Sequence, residues 1–516
     1  MVSKVYSAGV CGIEGFEVTV ECDIQNRMSV YEIVGLPDTA VKEAKERVRA
    51  ACENSGFSFP DTSVILNLAP ADRRKEGAGF DLAMLVAVLK TAGHLCEVDD
   101  TMCFLGELSL SGEVRATEGV LCRVLAARDA GKKSAFVPFE NAEEAACVDG
   151  INIYGIRSVS ELVAHLNGIA PVKPSVFDFA SYKKETDEID FDFSDIRGQA
   201  KACRAMEVAA AGGHNLLLIG SPGVGKSMIA KRMPGILPDI SFAEALETTK
   251  IYSAAGMLPP HSSLVSKRPF RSPHHTSTAA AMAGGGSHNI TPGEVSLSHN
   301  GVLFLDELPE YSKQVTEILR QPIEDGQITI TRASAKVTYP CSFTLICAMN
   351  PCKCGYFGHP TKACTCSTES RIKYMSRISG PLLDRIDLQV EMRTMTYKEI
   401  SERKPGEPSA VIRARVNRAR DFSRRRFEKY GFNISCNAQM TPAMIRVCCE
   451  LDEEAEALFK EAFDKLSLSP RAHDRILRVA RTIADLNERE NIQSSDIAET
   501  LALRNLDKSY FNPARM

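Results

Sequence analysis

A chain of 516 residues has room for two to four domains, and 44% hydrophobic with 25% charged residues is the composition of an ordinary globular protein. A formal net charge of −4 excludes a global nucleic-acid footprint, so any such contact must be local, and no apolar run is long enough to span a bilayer. The 17 cysteines, with no long apolar segment near Met1, read as reduced thiols and predict a cytoplasmic protein; with no Trp, base stacking falls to Tyr, Phe, His or Arg.

Residues 1–167 read as one α/β domain. Phe16, Val18, Val20, Cys22 and Ile24 alternate as on a strand. Val41, Ala44, Val48, Ala51 and Cys52 recur at helical spacing up to Ser55-Gly56, and a second helix carries Val120, Leu121, Val124 and Leu125 and stops near Gly131. Segment 168–195 is Pro-containing, then acidic, and reads as a linker with an adhesive Phe191/Phe193 end. A core over 196–400 and a helical region over 401–516 follow, giving an α/β multidomain chain.

In the core, Leu216-Leu217-Leu218-Ile219 predicts a buried strand running into Gly220-Ser-Pro-Gly223-Val-Gly225-Lys226-Ser227, with a helix-compatible run after it. That order is what a nucleotide phosphate cradle needs. Glycines let backbone N–H groups turn onto phosphates, Lys226 supplies charge and Ser227 a hydroxyl for Mg²⁺. A second strand, Val302–Leu305, ends in Asp306-Glu307, which suits a metal-holding Asp and a water-activating Glu; the alternative is a solvated strand end. A third strand, Phe343–Met349, ends in Asn350, placed to orient water. ATP binding and hydrolysis with Mg²⁺ are therefore expected.

Arg385, held by the turn Gly380-Pro-Leu-Leu-Asp-Arg-Ile-Asp387, suits a finger reaching a neighbouring subunit's γ-phosphate; the alternative is an ion pair with Asp384 or Asp387. Arg471 opens a helix with Ile476, Val479, Ala480 and Ile483 on its apolar face. It can touch nucleotide from the lid side or stand as a surface arginine.

The chain resembles the bacterial ComM/YifB group of magnesium-chelatase-like AAA+ ATPases. The resemblance rests on the phosphate loop, RPFRSPHHTSTAAAMAGGG at 268–286, VLFLDELPE at 302–310, AMNPCKCG at 348–355, RISGPLLDRIDL at 377–388 and SPRAHDRILRVARTIADL at 469–486. It implies a P-loop AAA+ core, a C-terminal helical lid, and a hexameric ATP-driven motor on DNA with helicase or branch-migration activity in recombination or DNA uptake. The rivals are a magnesium-chelatase-type motor subunit and an ATP-switched DNA scaffold that does not translocate.

The N-terminal domain resembles the α+β Lon-protease/ribosomal-S5 fold through Lys75-Glu-Gly-Ala-Gly79-Phe-Asp-Leu-Ala-Met84 and Gly112-Glu-Val-Arg-Ala-Thr-Glu-Gly-Val-Leu121. Gly79 stands where such proteases carry the nucleophilic Ser, and Leu121 where they carry the activating Lys. Neither can do that chemistry, so proteolysis is not expected.

Cys352-Lys-Cys354 and Cys364-Thr-Cys366, in the insert 352–366, can surround one tetrahedral Zn²⁺; free buried thiols or a redox pair are the other readings. Cys341 and Cys347 read as core, and Cys11, Cys22, Cys52, Cys448 and Cys449 as apolar filler. For DNA, Lys267, Arg268 and Arg271 lie in a basic, aromatic, turn-rich stretch that is either a pore element or a structural crossover. Arg332 and Lys336 flank the tip of a hairpin expected over 327–339, suited to tracking a phosphate backbone or simply solvated.

Overall fold

The computed structural model describes residues 2–27, 30–96, 98–179, 182, 191–258, 263–286, 290–332, 336–395, 405–466 and 468–504. Most of the acidic stretch of the linker, the turn 333–335 and the last twelve residues lie outside them.

The N-terminal part is built on a seven-stranded mixed sheet. Its strands run in the order Tyr31–Val34, Ser63–Ala69, Glu14–Gln25, Val2–Cys11, Met102–Phe104, Ser134–Pro138 and Asn152–Ile156. The expected alternation holds along Glu14–Gln25, where Phe16, Val18, Val20 and Cys22 are buried and Ile24 is partly so. The helix Thr39–Asn54 buries Val41, Ala44, Val48, Ala51 and Cys52; Asp38 starts it by accepting from Val41 N at 2.7 Å. The second expected helix spans Val120–Asp129.

The central part holds five parallel strands, in the order Phe270–Arg271, Val302–Leu305, Thr344–Met349, Leu216–Gly220 and Leu388–Met392. Val302–Leu305, Thr344–Met349 and Leu216–Gly220 are buried along their whole length, as apolar runs without alternation require. The first strand in the chain, Leu216–Gly220, lies inside the sheet, so strand order reverses beside it. A crevice opens there at the carboxyl ends, where parallel sheets bind ligands. The helix after the phosphate loop is only Lys226–Ala230, because Pro234 cannot donate to a continuing ladder.

Beyond residue 405 the described residues form helices and no strands: Ser409–Lys429, Pro442–Cys448, Glu453–Leu466, Pro470–Leu486 and Ser494–Ala502. Asp485 fastens this layer by accepting from Arg426, Arg481 and Asn437.

The N-terminal part meets the core at several places among the described residues, including Cys147 Sγ, which donates to Ser263 O at 3.4 Å. Gly119 N donates to Ser253 O at 3.2 Å, and the Ser253 hydroxyl bonds Glu144. The turn at Gly12 meets the hairpin Gln327–Thr331/Lys336–Pro340: a Cβ on Gly12 would lie 2.2 Å from Val337 Cγ1, and its φ of 64° also favours glycine. Of the expected pair at the linker's end, Phe193 is buried in the core, whereas Phe191 stays exposed with the Arg232 guanidinium 5.7 Å from its ring centre.

Candidate nucleotide site

The carboxyl ends of three neighbouring strands bring the expected ATPase residues together. Lys226 is 9% exposed, and its Nζ donates to Gly220 O at 2.6 Å, Ser221 O at 3.1 Å and Asn350 Oδ1 at 3.0 Å. Burial lowers its pKa, against the opposing charges of Asp306 and Glu307. A buried ammonium bonded only to carbonyl and amide oxygens is a cation that a phosphate would complete. Ser227 Oγ donates to Asp306 Oδ2 at 2.5 Å. These two hard oxygen donors, facing each other beside Lys226, fit Mg²⁺.

Gly223 (φ 84°) and Gly225 (φ 96°) shape the loop between them, with open space where a Cβ on Gly223 would point. Glu307 leaves its strand in the left-handed region, φ 53°, a conformation that costs a non-glycine residue energy and turns its carboxylate out into the crevice. His275 Nδ1 lies 3.4 Å from Glu307 Oε2.

Arg385 and Arg471 are elsewhere. Both line a cavity of about 720 Å³ at the amino ends of the strands, with Arg268, Arg420, Arg475 and Arg478 and the carboxylates Glu244 and Asp387. The five-residue strand Leu216–Gly220 alone puts roughly 16 Å between the two rims at about 3.3 Å per residue. Arg385 pairs with Glu324, not with Asp384 or Asp387, and its Nη1 donates to Pro381 O at 2.7 Å. Asp387 is held at about 2: burial raises its pKa, but the hydrogen bond and charge of His214, with Arg475 and Arg504, more than offset it. Arg471 therefore does not sit over the phosphate loop of its own chain, because the lid presents the start of helix Pro470–Leu486 to the opposite rim.

The four insert cysteines converge. Their sulfurs lie within 4.8 Å of one another, with Cys352 buried and Cys354, Cys364 and Cys366 half-buried, so the donor set is compatible with Zn²⁺. Cys341 and Cys347 are core residues, as are Cys22, Cys52, Cys448 and Cys449; Cys11 is exposed at the Gly12 turn and is not filler.

Among the N-terminal residues, Gly79 faces Arg123. A Cβ there would lie 3.3 Å from Arg123 Cζ and Nη1, and Leu121 is buried. The space that a side chain on Gly79 would enter is lined by a guanidinium.

The family model described as magnesium chelatase, subunit ChlI, matches residues 192–400; the models for subunit ChlI of Mg-chelatase and for the ChlI C-terminal part match 20–141 and 406–504. The chain is 39% identical over 515 residues to competence protein ComM of Haemophilus influenzae, covering 97% of each. It is 39% identical over 513 residues to the uncharacterised protein YifB of Escherichia coli, covering 98% of this chain and 97% of that one. The chain belongs to the ComM/YifB family. Over 137 residues it is also 26% identical to Lon protease 2 of Bacillus subtilis, which covers 26% of this chain and 24% of that one. The fold of this ComM/YifB chain is accordingly a Lon-related α+β N-terminal unit, a magnesium-chelatase-like AAA+ core and a helical lid.

Two of the DNA candidates are corrected in this ComM/YifB core. Arg268 is committed inward: it donates to Pro238 O at 2.6 Å and Asn300 O at 2.8 Å and pairs with Glu244 at 3.0 Å. Arg271 makes a two-pronged pair with Glu294, both bonds 2.7 Å. Charges paired in this way reach a phosphate only by giving up those partners. The stretch is thus a crossover at these two residues, whereas Lys267 is exposed. The hairpin forms over Gln327–Thr331 and Lys336–Pro340, with Ile328, Ile330, Val337 and Tyr339 inward and Arg332 and Lys336 exposed at either side of the turn. Its turn, 333–335, lies outside the described residues.

Sequence reasoning gave no role to Gln199 and placed His275 only at the end of the basic stretch that begins at Lys267. Gln199 (φ 53°) donates to Val224 O at 3.5 Å and Arg393 O at 2.8 Å, tying the start of the core to the phosphate loop. His275 follows a strand of only two residues, too short to show a periodicity, so its approach to Glu307 had no sequence signal beyond the pair His274-His275.

Proposed function

We propose that the protein is an ATP-hydrolysing motor that acts on DNA as a ring of identical subunits, six by the family resemblance, and moves strands or junctions during recombination or DNA uptake. The observation that carries this reading is the placement of two incomplete half-sites on opposite rims of one sheet. Lys226, Ser227, Asp306, Glu307 and Asn350 occupy one rim, and Arg385 and Arg471 the other. When copies stack rim to rim, each ATP meets the phosphate loop of one chain and the arginines of the next.

In that interface Gly220, Gly223, Gly225 and Lys226 hold phosphates. Ser227 and Asp306 would hold Mg²⁺, which would neutralise charge on the phosphate oxygens. Glu307 takes the proton of the attacking water and Asn350, anchored on Lys226, orients it. Arg385 offsets the charge that develops as the γ-phosphoryl departs, which requires it to leave Glu324, and Arg471 acts beside it on the same neighbour's nucleotide. Exposed Arg332 and Lys336 then contact the DNA backbone without reading bases. Gly79 and Leu121 leave no proteolytic step, and the insert cysteines take Zn²⁺ as a structural ion.

The name of the Haemophilus relative, a competence protein, agrees with work on DNA; the description of the matching family models favours the rival, a motor for Mg²⁺ insertion into a porphyrin. One assay separates them. ATPase rates are measured without DNA and with single strands, duplex and four-way junctions, alongside strand displacement and oligomer mass. The motor reading expects stimulation by DNA and ATP-dependent strand or junction movement by rings. DNA binding without movement favours the scaffold, and indifference to every DNA removes both DNA readings.

A further inference from the structure

We infer that the four-thiolate centre closes on a single Zn²⁺ and that this ion braces the phosphate loop, so that metal occupancy sets the affinity for ATP. The first half stands on the cluster's own geometry; the second rests on the ATPase reading.

Four ligands around one zinc at about 2.3 Å place their sulfurs about 3.8 Å apart along the edges of a tetrahedron. Here Cys352 and Cys354 are 3.3 Å apart, and each is 3.6 Å from Cys364. Cys366 joins them, with all four sulfurs inside 4.8 Å. A disulfide would draw two sulfurs together and leave the others behind, and a two-iron cluster would divide the thiolates between two metals. A single compact quartet fits one ion. Four thiolates also leave no open position, so the ion binds no substrate.

What surrounds the quartet gives the ion its task. Between the strand that ends at Met349 and the helix that begins at Thr368, the described structure contains no helix or strand. A cross-link inside a loop of that length removes conformational freedom that packing alone would otherwise have to hold. The cross-link lies next to catalytic atoms. Asn350, two residues before Cys352, accepts from Lys226 Nζ at 3.0 Å. Gly355 follows Cys354 directly; its N–H closes a turn onto Cys352 O at 3.0 Å, and its φ is 83°. That turn is pressed on the phosphate loop: a Cβ on Gly355 would lie 2.6 Å from Pro222 Cδ and 2.7 Å from Cγ. At the far end Ser367, next to Cys366, caps the helix Thr368–Met375 by accepting from Ser370 N at 3.2 Å. From Asn350 to Gly355 the chain therefore touches Lys226, joins the cysteine quartet and meets the loop's Pro222 in succession. Without the ion, these sulfurs are joined only by weak S–H contacts when protonated and repel when ionised, so the turn at Gly355 loses its anchor on Pro222.

The test uses the full chain purified without added metal and without a metal-affinity step. Zinc is measured by elemental analysis, and affinity for a fluorescent ATP analogue by titration. Three preparations are compared with wild type: Cys364→Ser, Gly355→Ala, and wild type stripped by chelator and reloaded with Zn²⁺ or Co²⁺. We expect one zinc per chain in wild type and none in Cys364→Ser. The cobalt-loaded protein should show the absorption of tetrahedral thiolate coordination. Gly355→Ala should keep its zinc yet bind the analogue at least about tenfold more weakly, because all four cysteines remain while the contact with Pro222 is forced apart. Stripped protein should lose affinity to a similar extent and regain it with either metal. Wild type free of zinc that binds no cobalt in this geometry overturns the metal site. Zinc-bearing wild type that binds no ATP analogue overturns the ATPase reading and, with it, the brace, while the metal site stands. Should Gly355→Ala and stripped protein bind as tightly as wild type, the brace alone is wrong. If Cys364→Ser does not fold, Gly355→Ala and the metal exchange still decide.

Discussion

Gly79, in the turn before the helix Asp81–Thr91, and Gly223, in the phosphate loop, differ in what they face. Beyond Gly79 lies the Arg123 guanidinium, 5% exposed, its Nη1 donating to Ala8 O at 2.6 Å and its plane over the Phe80 ring. Burial pulls that arginine's pKa down to about 10, and no carboxylate pairs with it among the described residues. Beyond Gly223 there is open space, and the buried Lys226 beside it is bonded only to neutral oxygens. At Gly79 a side chain would press on a guanidinium, whereas at Gly223 the space is open and the neighbouring ammonium is bonded only to neutral oxygens. On the reading we propose, the first is a retired site and the second a waiting one, told apart by what lies beside each glycine.

The largest expected effect comes from completing the waiting site across an interface. Arg385→Ala should leave nucleotide binding by a single chain intact and lower ring ATPase by about 10³-fold or more. Mixed rings with Lys226→Ala subunits should recover part of the rate, measured as phosphate release. No recovery in rings shown to be mixed would mean that Arg385 does not act on a neighbour. Glu307→Gln keeps shape and loses the base; turnover should fall by about 10²–10⁴-fold while calorimetry still shows ATP binding. Near-normal turnover would assign the base elsewhere.

The retired site is challenged by restoring its chemistry. Gly79→Ser with Leu121→Lys should produce no cleavage of an unfolded protein substrate and should cost about 1–3 kcal/mol of stability by denaturant titration, since both side chains enter filled volume. Measurable cleavage would show that Arg123 yields and that the comparison is wrong. The smallest change is expected at the DNA contacts. Arg332→Ala with Lys336→Ala should flatten the slope of log affinity against log salt by about 2, equally for all sequences, with basal ATPase unchanged. An unaltered slope would move the contact to Lys267.

Much of this was legible because it repeats along the chain. Apolar runs ending in Gly220, Asp306 or Asn350 announce parallel strands whose polar ends meet, since a strand buried on both faces shows its function only where it stops. The retired site was legible at Gly79 and Leu121, but not at Arg123, whose role depends on a helix packing across a sheet. Arg268 and Arg271 misled for a related reason. A basic run displays its charges in sequence, while the partners that neutralise them, Glu244 and Glu294, sit more than twenty residues away on other elements. The rim that gathers Arg385 with Arg471 was likewise invisible, because no local pattern states toward which end of a sheet a lid helix will point.

The Gly12 turn has a mechanical consequence. A two-stranded hairpin fixed only at its root is a cantilever, and a load on its end is spent in bending. Here the N-terminal sheet props the hairpin at Val337, one residue from Lys336. A prop there stiffens the described strands against deflection. In the motor we propose, displacement generated at the root would then reach Arg332 and Lys336 as travel, with the N-terminal sheet as a strut.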